Sequence, residues 1–218
     1  MSARDSQKPF LIGVAGGTGS GKTYLTLELA GLWKGRASVI HADWYYRDQS
    51  HVGGEARLKL NFDHPKAIEA TLLAADLRRL REGRPASAPH YDYATHRRTP
   101  DANPIEPRPF LLVEGLFVLH EPLIRKALDY AIFLEITPDQ RLIHRLRRDQ
   151  GARGITIEET LRLYENFARP MHELFVQPSS RHANEVMHDL PTDAEIRRLA
   201  RKLEKMAALQ AAPAAGDP

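Results

Sequence analysis

Phe10-Leu11-Ile12-Gly13-Val14-Ala15-Gly16-Gly17-Thr18-Gly19-Ser20-Gly21-Lys22-Thr23 contains an apolar run, a glycine-rich loop and a lysine-threonine pair. Gly16, Gly21, Lys22 and Thr23 satisfy the G-x-x-x-x-G-K-[ST] phosphate-loop pattern. The run from Phe10 to Val14 reads as a strand, and Leu25, Leu29 and Leu32 fall on one side of a following helix. Strand, loop and helix in that order are the setting in which the pattern has physical meaning. Glycines let backbone N–H groups close around phosphate oxygens, and the helix N-terminus adds partial positive charge there. Residues Gly16, Gly17, Thr18, Gly19, Ser20, Gly21, Lys22 and Thr23 are therefore expected to cradle a nucleotide triphosphate. Lys22 would reach its β- and γ-phosphates, and the Thr23 hydroxyl would ligate Mg²⁺.

The chain around this loop has 218 residues, 42% hydrophobic and 27% charged, which suits one α/β domain with an ample core. Cysteine is absent, which excludes disulfides and thiolate zinc sites. No apolar run approaches the ~20 residues that cross a bilayer, and Met1 to Lys8 has no signal-like segment. A cytoplasmic enzyme without a membrane partner is the expectation, by elimination. The net charge is +3, with arginines gathered between 141 and 153. No RNA- or DNA-binding pattern accompanies them, so a triphosphate site accounts for them better than nucleic acid does.

Apolar runs at Phe10–Val14, Ala37–His41, Phe110–Glu114 and Tyr130–Glu135 alternate with helical patterns. That alternation predicts a parallel sheet with helices on both faces. A helix is expected from Pro65, with Ile68, Leu72, Leu73, Leu77 and Leu80 inward and Gly83 at its end. Residues 84–109 hold six prolines and read as a hairpin flap. Capping-box patterns at Thr137–Gln140, Thr156–Glu159 and Thr192–Glu195 announce three later helices, with Pro138 at the first position of the first. Residues 1–207 form one expected domain, with an arginine lid at about 138–155. The Ala/Pro-rich stretch 208–218 is an expected disordered tail.

Ligands of open parallel sheets sit beyond the carboxyl ends of the strands. Asp43 and Glu114 lie at or just past such ends, and Asp63 follows a turn in Asn61-Phe62-Asp63-His64-Pro65. Phosphoryl transfer uses one carboxylate on the acceptor hydroxyl and another near Mg²⁺. Asp43 suits the first role and Glu114, closing an apolar strand, the second. Arg141, Arg145 and Arg148 share a helix face at i, i+4 and i+7, with Arg153 beyond them. A solvated basic face and a lid folding Arg148 and Arg153 over the phosphates are both compatible with that spacing. Tyr91, Asp92, Tyr93 and His96, with Phe62, Trp44, Tyr45 and Tyr46, could enclose a planar ring. The ten histidines show no helical ligand pair, so a histidine metal site is not expected.

These pieces together resemble the uridine kinase (uridine/cytidine kinase) family of P-loop phosphotransferases over about Phe10 to Pro178. The specific fragments are Asp43-Trp44-Tyr45-Tyr46-Arg47, Asn61–Pro65, Tyr91-Asp92-Tyr93-Ala94-Thr95-His96, Val113-Glu114-Gly115, Arg148-Asp149 and Arg153-Gly154. The resemblance implies the P-loop kinase (NTP hydrolase-type) fold and ATP- or GTP-dependent phosphorylation of a nucleoside 5′-hydroxyl. It makes Asp43 the general base and Asp63 with Arg145 the holders of the ribose. Tyr91 and His96 would read the pyrimidine edge, with Phe62 and Tyr93 as stacking faces. Thr23 and Glu114 would serve Mg²⁺, and Arg148 and Arg153 the phosphates. The partner it implies is a small-molecule acceptor, in a homo-oligomeric protein. Ile155 and Leu163 stand where the family usually carries arginine and glutamine, and Tyr24 where it has a second threonine. Ser179 to His188 reads as a poor strand. Two other readings stay open: a different acceptor, such as a sugar phosphate or another small alcohol, or a nucleotide-binding regulator that turns nothing over.

Overall fold

The structure, a computed structural model, describes residues 8–53, 60–93, 95 and 97–212, without the side chains of Ala152 and Arg153. Its centre is strand β1 (Phe10–Gly16), every residue of which is buried. Helix α1 (Lys22–Leu32) follows the loop and leads to β2 (Ala37–His41). Next come helix α2 (Ala70–Arg81), a hairpin of β3 (Ala86–Asp92) and β4 (Arg97–Ile105), and β5 (Phe110–Glu114). A short helix α3 (Pro122–Arg125) leads to β6 (Tyr130–Leu134) and the long helix α4 (Pro138–Arg153). Helix α5 (Ile157–Leu163) runs on through π and 3-10 turns to His182. Strand β7 (Glu185–Met187) and helix α6 (Asp193–Ala211) complete the order.

The main sheet runs β2-β5-β1-β6-β7 and is parallel throughout. Period-two alternation sends the side chains of β1 to two cores. Phe10, Ile12 and Val14 pack with Leu25 and Leu29 of α1 and Ile196, Leu199 and Leu203 of α6. Leu11 and Ala15 face Leu73, Leu77 and Leu80 of α2, Ile124 of α3 and Val176. Each such leucine contributes roughly 1.5–3 kcal/mol by leaving water. The chain enters at β1 and crosses over β5 to form β2, while β6 lies on the other side of β1. The order therefore reverses at β1, directly beneath the glycine loop, which is where an open α/β sheet leaves a crevice.

Several expectations need correction. The segment at Pro65 opens as a separate 3-10 turn, Pro65–Ala67, capped by the His64 side chain. Ile68 then pairs in an isolated bridge with Tyr46, and the α-helix begins only at Ala70. Leu32 is 41% exposed, and Trp33 takes the inward place, stacked on Phe110 at 4.1 Å between ring centroids. Of the three capping boxes, Thr192–Glu195 is reciprocal, Thr156 caps from its own side chain only, and Thr137 makes no side-chain cap bond. Glu159 is drawn away from Thr156 by Arg162, at 2.6 Å and 2.7 Å. The poor strand after Pro178 does form, as the three-residue β7 paired with β6. Helix α6 continues to Ala211, and residues 213–218 lie outside the described ones.

Candidate active site

The loop between β1 and α1 is shaped by contacts beneath it. Gly19 has φ +75°, and a Cβ there would collide with the backbone oxygen of Arg141. The imidazole of His144 meets the Gly19 carbonyl at 2.9 Å. Gly19→Ala combines left-handed strain with that collision, so it should lower stability by about 2 kcal/mol or more, read as a lower urea midpoint at unchanged m. Lys22 opens the helix, is buried, and donates from Nζ to the Gly17 carbonyl at 2.9 Å. Burial pulls its pKa below the ordinary lysine value, and the charges of Glu114 and Asp43 oppose that fall.

Parallel pairing sets Val14 and His41 on either side of Glu114 at the carboxyl end of the sheet. Glu114 is buried, and its Oε1 receives the Thr23 hydroxyl at 3.0 Å and lies 2.7 Å from His41 Nδ1. Burial acts to raise the Glu114 pKa, but the His41 contact and the Lys22 charge outweigh it and hold the group ionised, below its ordinary value. The His41 ring moves the other way: burial lowers its pKa, and the Glu114 partner more than restores it. Among the described residues no group of three or more acidic, histidine or cysteine side chains could hold a metal. A magnesium ion would therefore rest on the Thr23 hydroxyl, the one carboxylate of Glu114, water and phosphate oxygens. That donor set of hard oxygens fits it.

Asp43 sits in the 3-10 turn Ala42–Tyr45 that caps β2, half-buried. That turn leaves the carboxyl end of β2, which runs parallel to β5 and β1, so the acid lies at the same edge of the sheet as the phosphate loop. The turn is anchored from below, where the fully buried Tyr45 donates its hydroxyl to Asp76 at 2.8 Å. It is latched from above by Arg98 of the hairpin, which donates to the carbonyls of Tyr46 at 2.9 Å and Tyr45 at 3.4 Å. The same guanidinium pairs with Glu69 at 2.8 Å.

The aromatic residues assemble as a wall. Tyr46 meets Phe62 at 5.7 Å and Tyr91 at 5.3 Å, and Tyr91 meets Tyr93 at 5.5 Å. Tyr91 is packed into the core at 3% exposure, whereas Tyr93 is the exposed ring of the group. His96 lies outside the described residues, as does the Arg153 side chain.

Helix α4 carries the lid arginines and ends at Gly154 with φ 64°. Asp149, one turn from its end, is 1% exposed. It lies 3.3 Å from Arg145 Nε and accepts from Arg148 Nε at 2.9 Å. Arg145 also reaches Asp63 at 3.7 Å, which joins the lid to the Asn61–Pro65 turn. Burial raises the Asp63 pKa against the pull of Arg145. Arg141 and His144 of the same helix lie against Gly17 and Gly19, which brings the helix to the phosphate loop. Asp149→Asn leaves Arg145 buried with its nearer partner gone, and should cost about 3 kcal/mol in urea unfolding.

Sequence reasoning missed His41, Asp149 and Arg98. For His41 the signal was present, since it stands two residues before Asp43 at a strand end. Asp149 was visible at i+4 from Arg145 and next to Arg148. Nothing in the local pattern marks Arg98, whose partners lie about thirty to fifty residues away in sequence.

Residues 11–195 match the Phosphoribulokinase / Uridine kinase family. The uridine kinase of Staphylococcus epidermidis is 41% identical over 175 residues, covering 80% of this chain and 84% of that protein. The uridine kinase of Bacillus anthracis is 35% identical over 206 residues, covering 92% and 97%. Phosphoribulokinase from Rhodobacter spheroides superposes with a TM-score of 0.62 at 18% identity, over 83% of this chain and 71% of that one, and so shares the fold. With the glycine loop at the point of strand reversal and a family match spanning most of its length, this chain belongs to the phosphoribulokinase/uridine kinase family.

Proposed function

We propose that this protein is a nucleoside kinase that transfers the γ-phosphoryl group of ATP, or of GTP, to the 5′-hydroxyl of uridine, cytidine or a close analogue. The observation that carries the reading is positional. A half-buried carboxylate, Asp43, follows the carboxyl end of β2, the same edge of the parallel sheet that carries the phosphate loop and its buried Lys22, and phosphoryl transfer uses such an acid on the acceptor hydroxyl. The relatives named uridine kinase supply the acceptor class.

In this reading the loop amides and Lys22 hold the β- and γ-phosphates, and Asp43 takes the proton of the acceptor hydroxyl. The hydroxyl oxygen forms its bond to the γ-phosphorus as the bond from that phosphorus to the β–γ bridging oxygen breaks, which releases ADP. Mg²⁺ bound at Thr23 and Glu114 would supply charge neutralisation between the β- and γ-phosphates. Arg148 and Arg153 complete the neutralisation from the lid, and Asp63 with Arg145 fixes the sugar. Phe62 and Tyr93 offer stacking faces to the base, and Tyr91 and His96 are the groups assigned to its edge.

A second reading, a different alcohol acceptor, is favoured by Ile155 and Leu163, half-buried apolar side chains that offer no hydrogen bond to a sugar. ATP consumption separates the two across a panel of uridine, cytidine, purine nucleosides, pantothenate and pentose phosphates. Turnover led by the pyrimidine nucleosides is expected. Preference for a pentose phosphate would move the protein to the second reading, and ATP binding without turnover on any acceptor would make it a regulator.

A further inference from the structure

Arg141 is the buried arginine of the lid helix that the reading above leaves without a task, and its surroundings are unusual. It is 3% exposed, one turn into α4, and its Nε donates to the Ile136 carbonyl at 3.0 Å. Its Nη1 is buried and has no hydrogen-bond partner. Among the described residues no carboxylate forms an ion pair with it. Its charged neighbours make matters worse: Lys22 is a second buried cation, and the two repel. His172 cannot supply a counter-charge, since an imidazole is at most neutral, and burial with the Arg141 charge pushes it down to about 4. Tyr164, an uncharged hydroxyl-bearing ring and no carboxylate, is the remaining neighbour that favours the charge.

A buried guanidinium with no counter-charge costs several kcal/mol, and it persists where something else supplies the missing anion. The position of the orphaned nitrogen indicates what that is. A Cβ at Gly17 would collide with Nη1 of Arg141, so the guanidinium lies directly against the phosphate loop. The Gly17 carbonyl on the same residue holds the Lys22 ammonium. Two cations thus flank one glycine, and a second unpartnered buried nitrogen, His172 Nδ1, belongs to a ring that feels the charge of both.

We infer that Arg141 is a nucleotide-binding residue whose counter-charge is the polyphosphate of the donor, so that the site is electrostatically incomplete until the triphosphate arrives. The inference rests on the nucleotide-binding reading of the loop but not on the identity of the acceptor. Glycine at position 17 then has a second purpose, letting the guanidinium approach the loop without a side chain in between.

The test is titration of ATP into the full chain with no acceptor present, for the wild type, Arg141→Met and Arg141→Lys. Arg141→Met should weaken ATP binding roughly 10- to 100-fold, as expected for losing a charged hydrogen-bond donor. Its melting temperature without nucleotide should hold or rise, since an uncompensated charge has left the interior. Arg141→Lys should recover part of the affinity, because it keeps the charge while losing the planar fork. A purely structural brace gives another pattern, a lower melting temperature in Arg141→Met with ATP affinity within about two-fold of wild type, and that result would overturn the inference. So would an Arg141→Lys variant as weak as Arg141→Met. Wild-type protein that failed to bind ATP would remove the nucleotide reading itself, whereas wild-type binding matched by Arg141→Met removes the role of Arg141 alone.

Discussion

Asp43→Asn should reduce kcat by roughly 10²- to 10⁴-fold while leaving the affinity for ATP close to that of the wild type. The asymmetry follows from where the acid sits. Asp43 is carried by the turn above β2, held by Tyr45 to Asp76 below and by Arg98 above, and neither anchor uses its carboxylate. Asparagine preserves the shape of the turn but cannot accept a proton. The carboxylate is itself an anion at the same edge of the parallel sheet as the phosphate loop, so removing its charge does nothing to weaken phosphate binding there. Steady-state kinetics with a separate measurement of the ATP dissociation constant checks both halves. Parallel losses in turnover and ATP affinity would show that Asp43 serves the fold of the loop and not the chemistry.

Lys22→Met should behave differently, with turnover falling about 10²- to 10³-fold and ATP affinity falling with it. The ammonium is buried and held on the Gly17 carbonyl before any ligand arrives, so it is preorganised and needs little rearrangement to follow charge onto the transferring group. It is also the charge that keeps Glu114 ionised alongside His41. Methionine fills a similar volume and leaves the carboxylate with His41 and Thr23 as partners. The acceptor KM should stay near the wild-type value if the proposed acceptor residues, Asp63, Arg145 and the aromatic wall, hold it without help from Lys22. A variant with wild-type turnover would contradict the placement of the γ-phosphate at Lys22.

The glycine loop and the four principal strands were legible because their signals are local: an apolar run of the right length, then residues whose backbone freedom or charge has one physical use. The hairpin could be read from its prolines, which its two-stranded form tolerates with an irregularity at Pro89 and His90. Where expectation failed, a contact distant in sequence had decided the outcome. Ile68 has helical spacing with Leu72, yet its bridge to Tyr46 interrupts the helix and hands the first turn to Pro65–Ala67. Residues 185–187 have no convincing strand pattern, yet the edge of β6 offers them a ladder and the Asn184 side chain accepts from the Ala131 amide at 2.8 Å. Thr137 carries a capping sequence but makes no side-chain cap bond.

The candidate site follows the same division. Lys22 and Thr23 could be read from the loop pattern, and Glu114 and Asp43 from strand ends, because parallel strands deliver their carboxyl ends to one edge. The tie from Asp149 to Arg145 and Arg148 needed the third dimension, since i+4 spacing permits such a pair without requiring it. Burial of Arg141 was invisible for a related reason. A helical wheel puts it on the face of Arg145 and Arg148, and only the packing of α4 against the loop shows that this face meets glycine there and not solvent.

One measurement bears most directly on the shared task of loop and acid. Wild-type protein and Asp43→Asn are each supplied with ATP, magnesium and uridine, and phosphorus NMR follows where the γ-phosphoryl group goes. The expected result is its appearance as a monoester on the 5′-oxygen of uridine with the wild type, and its retention in ATP with the variant. Equal transfer by both proteins, or release only as inorganic phosphate, would contradict the account.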